Sequence, residues 1–184
     1  MLFRSILHQG DRSPAPTLWA LWQRFADDFA AGVKPEQVDK EHSDEAKMLR
    51  EIFLGVNWAE KRDWPPMHGE TQRLRAFFLN LPPMESGFEC YAYYLAKIGT
   101  PTLPEALGDI GKKLVEATGR AILSENAIFY LDEILTRLIY GGNKQIRADG
   151  HLRQAILTVL DALVAAGSPA AYKLRNDFLT PVSG

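Results

Sequence analysis

The chain has 184 residues, a formal net charge of −2 at pH 7 and 46% hydrophobic residues. A chain of this length buries roughly 70% of the surface that its unfolded form exposes, so an apolar core needs no disulfide or metal support. The 24% of charged residues excludes wholesale disorder, and their near-balance excludes a global field that would draw the chain onto nucleic acid or an anionic membrane. We therefore expect one globular domain spanning residues 1–184.

Cysteine usage and the N-terminus bear on localisation. Cys90 is the only cysteine in the sequence, so the chain cannot form an internal disulfide, and a reducing compartment is favoured. Arg4, His8 and Gln9 interrupt the N-terminal apolar run where a signal peptide would still be hydrophobic. No apolar stretch approaches the roughly 20 residues that span a bilayer. These features predict a cytoplasmic protein without membrane association.

Apolar residues recur every three to four positions, whereas the alternating runs and hairpin turns of β-structure are absent. This period predicts an all-α fold of about nine helices, arranged as stacked antiparallel pairs or as an irregular bundle. The longest irregular stretch, residues 57–69, separates two groups of helices and is a candidate boundary or binding loop. In the first half we expect helices near 2–9, over 17–31 with a stop at Gly32, from Ser43 to Val56, and over 70–81.

The second half carries clearer start and stop signals. Ser86 and Glu89 have the spacing of a capping box, and Thr102 and Glu105 repeat it. We expect the corresponding helices to end near Gly99 and Gly119. Ser124 then predicts the start of a helix that ends at Gly141 and Gly142, a long helix follows from near Ile146 or Leu152 to Gly167, and Ser168 with Pro169 opens the last one.

Two apolar patterns recur within the second half of the chain. Leu114-Val115-Glu116-Ala117 returns as Leu163-Val164-Ala165-Ala166. Four apolar positions also recur in type: Ala127, Phe129, Leu131 and Leu135 become Ala170, Tyr172, Leu174 and Phe178. The spacing resembles that of HEAT and armadillo repeats, which measure roughly 40–47 residues. This architectural resemblance implies a helical-repeat portion over 84–184, beside a possible N-terminal subdomain over 1–60.

Motifs that carry chemistry are absent from the sequence: it has no phosphate-binding loop, dinucleotide-binding glycine motif, nucleophile elbow, or paired-cysteine or His-Glu metal signature. The acidic residues around His42 alternate with lysines, which is typical of a solvated helix face. Cys90 is expected to be a packed thiol, because no base is evident beside it. We therefore predict no catalytic residues, no metal site and no cofactor.

One segment has the composition of an anion-binding site. Lys144, Arg147, His151 and Arg153 follow a pair of glycines close to a helix start, where backbone amides and cations favour negative charge. A nucleic-acid interface would require these cations to continue along a ridge with the other basic residues of the second half. Those residues are Lys112, Lys113, Arg120, Lys173 and Arg175.

Four aromatic residues are candidates for a protein interface. Trp58 and Trp64 lie in the irregular stretch, and Tyr93 and Tyr94 are consecutive, so on a helix they point about 100° apart. An apolar ring with a polar tip suits an interface. The leading hypothesis is therefore a non-catalytic module that binds a protein partner, alone or within a larger assembly. Phosphate or nucleic-acid binding, and an enzyme with an unfamiliar helical site, remain the alternatives.

Overall fold

A computed structural model of the chain describes residues 16–38, 43–54, 69–98, 103–117, 122–141 and 145–180. Within these ranges it contains ten α-helices and no strand, so the predicted all-α, multi-helical class is confirmed. None of these helices is both long and apolar enough to cross a bilayer. The chain divides into two compact units, residues 1–98 and 99–184. The predicted helix over 2–9 and the predicted border near residue 60 lie outside the described residues.

The described residues of unit 1 contain five helices whose core is rich in aromatic side chains. Phe77 is fully buried at its centre, with ring centroids 5.2 Å from Phe53 and 6.3 Å from Trp22. Phe78 and Tyr91 stack 4.2 Å apart. These contacts join the helix that carries Phe77 and Phe78 to three other helices of the unit. The helices are α1 (Pro16–Gly32), α2 (Pro35–Val38), α3 (Asp44–Leu54), α4 (Glu70–Asn80) and α5 (Glu85–Lys97).

Five helices also lie in the part of unit 2 that the structure describes. The expected long helix after Ile146 is two helices, because Asp149 accepts hydrogen bonds from the amides of His151 and Leu152 and so begins a new helix there. Gly167, with φ of 89°, supplies the left-handed residue in the turn that follows. The helices are α6 (Leu103–Glu116), α7 (Glu125–Tyr140), α8 (Gln145–Ala148), α9 (Gly150–Ala165) and α10 (Pro169–Leu179).

Three of the predicted helix starts are confirmed, and one is wrong. The hydroxyl oxygens of Ser43, Ser124 and Ser168 each accept a hydrogen bond from the amide three residues later, at 3.0–3.1 Å. Ser86 is not the N-cap of α5, because that helix begins at Glu85 and its N-cap is Met84. Met84 is 1% exposed, so the side chain just before the helix is packed in the core.

The helices of unit 2 form two hairpins stacked in parallel. A Cβ built on Gly108 would lie 3.9 Å from that of Ala155, and one on Gly111 would lie 3.7 Å from that of Thr158, so α6 and α9 run in the same direction. Asp132 contacts Ser168 and Tyr140 contacts Asp177, so α7 and α10 are also parallel. The short turn at Gly167 makes α9 and α10 antiparallel, and it follows that α6 and α7 are antiparallel too.

The recurring sequence patterns lie on helices that are neighbours in this arrangement. Leu114 to Ala117 and Leu163 to Ala166 lie at the ends of α6 and α9, which pack against each other. The second pattern lies on α7 and α10, which also pack together. Each pattern therefore recurs on two helices that pack against each other.

Close approach of α6 and α9 predicts the effect of enlarging Gly111. A Cβ there would lie 3.4 Å from the carbonyl oxygen of Ala155, so the longer side chain of Gly111→Leu cannot be placed without separating the helices. We expect a loss of about 1–3 kcal/mol in the free energy of unfolding, measured by urea denaturation. Gly150→Leu is the control, because no atom lies within 4 Å of its Cβ position. Equal stability of the two variants would contradict this packing.

Candidate functional site

The outward surface of α7 is the most prominent candidate site in unit 2. The buried residues of α7 are Ala127, Leu131, Ile134, Leu135 and Leu138. Helical geometry places Phe129 about 180° from the centre of that stripe, and its ring is 65% exposed. Exposed residues continue at helical spacing on both sides of it. We call this set the outer strip: Glu125, Phe129, Glu133, Thr136 and Tyr140.

A second exposed aromatic side chain lies on the neighbouring helix. Tyr172 of α10 is 61% exposed and occupies the position that matches Phe129 in the recurring pattern. Tyr140, at the end of the outer strip, is 55% exposed and its hydroxyl donates a hydrogen bond to Asp177 of α10. Hydrogen bonding to this carboxylate raises the pKa of Tyr140. Large rings are thus exposed on both helices of this layer.

Asp132 connects α7 to the start of α10. Its Oδ2 accepts a hydrogen bond of 2.7 Å from the hydroxyl of Ser168, and that same hydroxyl oxygen accepts the amide of Ala171. Its other carboxylate oxygen is buried and has no hydrogen-bond partner among the described residues. Burial raises the pKa of Asp132, and the Ser168 hydrogen bond offsets part of that effect. One serine therefore caps α10 and ties it to α7.

Arg147 binds the C-terminus of α10. Its two terminal nitrogens donate hydrogen bonds to the carbonyl oxygens of Asp177 and Thr180, at 3.0 and 2.9 Å. Its guanidinium also lies 5.3 Å from the ring centroid of Phe178. A cation at a helix C-terminus satisfies carbonyls that lack an intrahelical partner and complements the helix dipole. Arg147 thus stabilises the fold through a contact made within unit 2.

The helix start beside the predicted anion-binding residues is already capped by a carboxylate. Arg147 is engaged as described, and the exposed side chains of His151 and Arg153 lie in the first turn of α9. That helix start already holds a negative charge, because Asp149 accepts its first amides. Lys144 lies outside the described residues. The structure thus supplies its own carboxylate where the sequence suggests an external anion.

The wider basic ridge is also interrupted. Lys113 is only 4% exposed, and its ammonium lies 3.7 Å from the carboxylate of Glu116. Burial lowers the pKa of Lys113. Arg175 forms an ion pair with Asp161 of α9. Arg120 lies outside the described residues, and exposed Lys112 and Lys173 are on different helices. Two of the described cations are therefore already paired with carboxylates.

Of the interface candidates in unit 1, the two tyrosines differ sharply. Tyr94 lies in the core rather than at the surface, because it is 2% exposed and its hydroxyl is 3.1 Å from that of Thr71. Tyr93 is half-buried, and the ammonium of Lys97 lies 5.0 Å from its ring centroid. Trp58 and Trp64 lie outside the described residues. Only Tyr93 of these four presents part of its ring at a described surface.

Unit 1 contains an open groove of about 540 Å³ between α1 and α4. Its polar side chains already bind one another, since Gln23 donates to Asp27 at 2.9 Å and Arg24 lies 4.0 Å from Asp28. The guanidinium of Arg73 lies 4.9 Å from the ring centroid of Trp19. Charges of both signs balance in the groove, so it has no evident selectivity for one class of ligand.

The described ranges contain no cluster of three metal-ligating side chains. Cys90 is buried, as predicted, and burial together with neighbouring Glu89 raises the pKa of its thiol to about 12. Such a thiol is protonated at neutral pH and is a poor nucleophile.

The acidic residues around His42 are predicted to lie on a solvated helix face. One of them, Asp44, is exposed, and its carboxylate accepts a hydrogen bond of 3.0 Å from the ammonium of Lys47.

Comparison with known proteins identifies no relative: neither a protein-family model nor a curated protein sequence matches this chain.

The Arg147 contacts predict a stability effect that depends on the shape of the guanidinium. Arg147→Lys retains the charge but cannot donate to two carbonyls in a fixed plane, so we expect both Arg147→Lys and Arg147→Ala to lower the free energy of unfolding by about 1–2 kcal/mol. Arg153→Ala, at an exposed position of α9, is the control. Urea denaturation measures each value. A lysine variant as stable as the parent would show that the two carbonyl contacts contribute nothing.

The raised pKa of Asp132 predicts a specific pH dependence. The native state holds this proton more tightly than the unfolded state, so the contribution of Asp132 is fully present below the ordinary aspartate pKa of about 3.9 and is lost as pH rises through the native value. Asp132→Asn cannot ionise, yet its amide oxygen still accepts the Ser168 hydroxyl. We expect this variant to be at least as stable as the parent at pH 7 and to lose that advantage as pH falls. Urea denaturation across this range would contradict us if the variant were less stable at pH 7.

Proposed function

We propose that this protein is a non-catalytic binding module whose unit 2 recognises another protein through the outer strip of α7. The observation that carries the proposal is the 65% exposure of Phe129 at the centre of that strip, opposite the buried stripe. Isolated apolar side chains at a surface need no explanation. Here Tyr140 shares the strip and Tyr172 lies on the adjoining helix, so three large rings are exposed on one pair of helices. Aromatic side chains of this kind dominate the energetics of protein interfaces.

The parallel stack supports the same proposal. In helical-repeat proteins each hairpin buries its apolar side against its neighbour, and the outward surfaces of successive helices together form an extended binding surface. In unit 2, α6 packs against α9 and α7 packs against α10, and these helices carry the sequence patterns whose spacing resembles HEAT and armadillo repeats. The ties from Asp132 to Ser168 and from Tyr140 to Asp177 fix α7 relative to α10. A surface held in this way loses little entropy when a partner binds.

A capture experiment tests the proposal. The tagged chain and its Phe129→Ser variant are incubated with a lysate of the source cells, and bound proteins are quantified by mass spectrometry. Because Phe129 is largely exposed, we expect the free energy of unfolding of the variant to lie within about 0.5 kcal/mol of the parent value. We also expect the variant to lose at least one captured protein.

The matched control is Leu21→Ser, which replaces a side chain that is 58% exposed on α1 of unit 1. Its captured set should equal that of the parent chain. If Phe129→Ser retained every captured protein, or if Leu21→Ser lost the same ones, the outer strip would not be the binding surface.

A further inference from the structure

The charge of the outer strip defines the class of partner that it fits, and this step rests on the proposed function. Glu125 lies four residues before Phe129 and Glu133 lies four residues after it, and both side chains are exposed. Residues four apart are neighbours on one helix face. Phe129 therefore has a carboxylate one helical turn away on each side, about 6 Å along the axis.

The helix dipole stabilises the negative charge of one of these glutamates but not of the other. Glu125 is in the first turn of α7, where a negative charge complements the helix dipole. Glu133 is in the middle of the same helix, and the dipole gives it no comparable stabilisation. Its exposed carboxylate beside an exposed phenylalanine suits a cationic partner.

Other charged side chains lie near the two glutamates. Arg137, one turn after Glu133, is half-buried on the flank of α7, and Asp132 is held by Ser168. Two cations on other helices of unit 2 are engaged elsewhere. Arg175 binds Asp161, and Arg147 binds carbonyl oxygens at the end of α10. Lys173 of α10 is exposed. The surface around Phe129 thus presents two carboxylates from its own helix.

We propose that the outer strip binds a basic amphipathic helical segment of a partner protein. An apolar side chain of the segment packs on Phe129, and lysine or arginine side chains one turn away on either side reach Glu125 and Glu133. Nucleic acid is disfavoured because the two carboxylates would face its phosphates. Pairing of this strip with the same strip of a second copy is disfavoured because each would present its own glutamates to the other.

Binding of synthetic peptides to the full chain tests the partner class. The probe is a fluorescent amphipathic peptide of leucine, alanine and lysine, followed by anisotropy. One comparison peptide has glutamate in place of lysine, and another has the same composition as the probe but a scrambled order without an apolar face. We expect the probe to bind at least about tenfold more tightly than either, with affinity falling as salt is raised.

Variants locate the contact on the strip. Phe129→Ser and Glu133→Gln should each weaken probe binding by about threefold or more, and Glu133→Lys should shift the preference toward the glutamate peptide. The matched control is Glu36→Gln, which neutralises an exposed carboxylate on α2 of unit 1 and should leave binding unchanged.

Three results would overturn the inference. Equal affinities for the lysine and glutamate peptides would show that the strip does not select for positive charge. Equal affinities for the lysine probe and the scrambled peptide would show that binding does not need the apolar face of a helix. A chain that sediments as a dimer, and becomes monomeric in Phe129→Ser, would assign the strip to a second copy. In the first two cases the loss of captured proteins in Phe129→Ser would still uphold the proposed function, whereas unchanged capture would remove both.

Discussion

Unit 2 depends on the close contact between α6 and α9. Gly108 and Gly111 lie one turn apart on α6 and have no side chain. Ala155 and Thr158 of α9 therefore approach to within van der Waals distance of the positions that Cβ atoms of these glycines would occupy. Glycine in a helix interior costs roughly 0.5–1 kcal/mol relative to alanine, because more backbone freedom is lost on folding. The packing of α9 against the glycine surface offsets that cost. This contact sets the spacing of the hairpins and therefore brings α7 beside α10.

Much of the fold could be predicted from the sequence because its signals are local. Ser43, Ser124 and Ser168 cap helices through hydrogen bonds that span three residues, and the apolar period of α7 identifies its buried stripe. Met84 shows where this approach fails. Its burial depends on side chains brought together by the tertiary structure, and this outweighs the capping-box spacing of Ser86 and Glu89.

The candidate site was harder to predict for the same physical reason. Phe129 appeared in the sequence only as a member of a recurring apolar pattern, although its angular distance from Leu131 and Leu138 already indicated an outward position. Tyr94 was expected at an interface because consecutive tyrosines must diverge, yet the periodicity alone could not decide which of the two enters the core. Arg147 looked like a free cation, because its contacts with Asp177 and Thr180 join residues about thirty positions apart.

The attachment of α10 at both ends has a consequence for how unit 2 opens. Helices commonly fray from their termini inward, since terminal turns have the fewest hydrogen bonds. In α10, Ser168 is tied to Asp132 at one end, and Arg147 and Tyr140 bind the other, so neither terminal turn can unwind alone without breaking a tertiary contact. Its backbone amides should therefore exchange with solvent as one cooperative group, and the detachment of α10 from α7 becomes a single sub-global event.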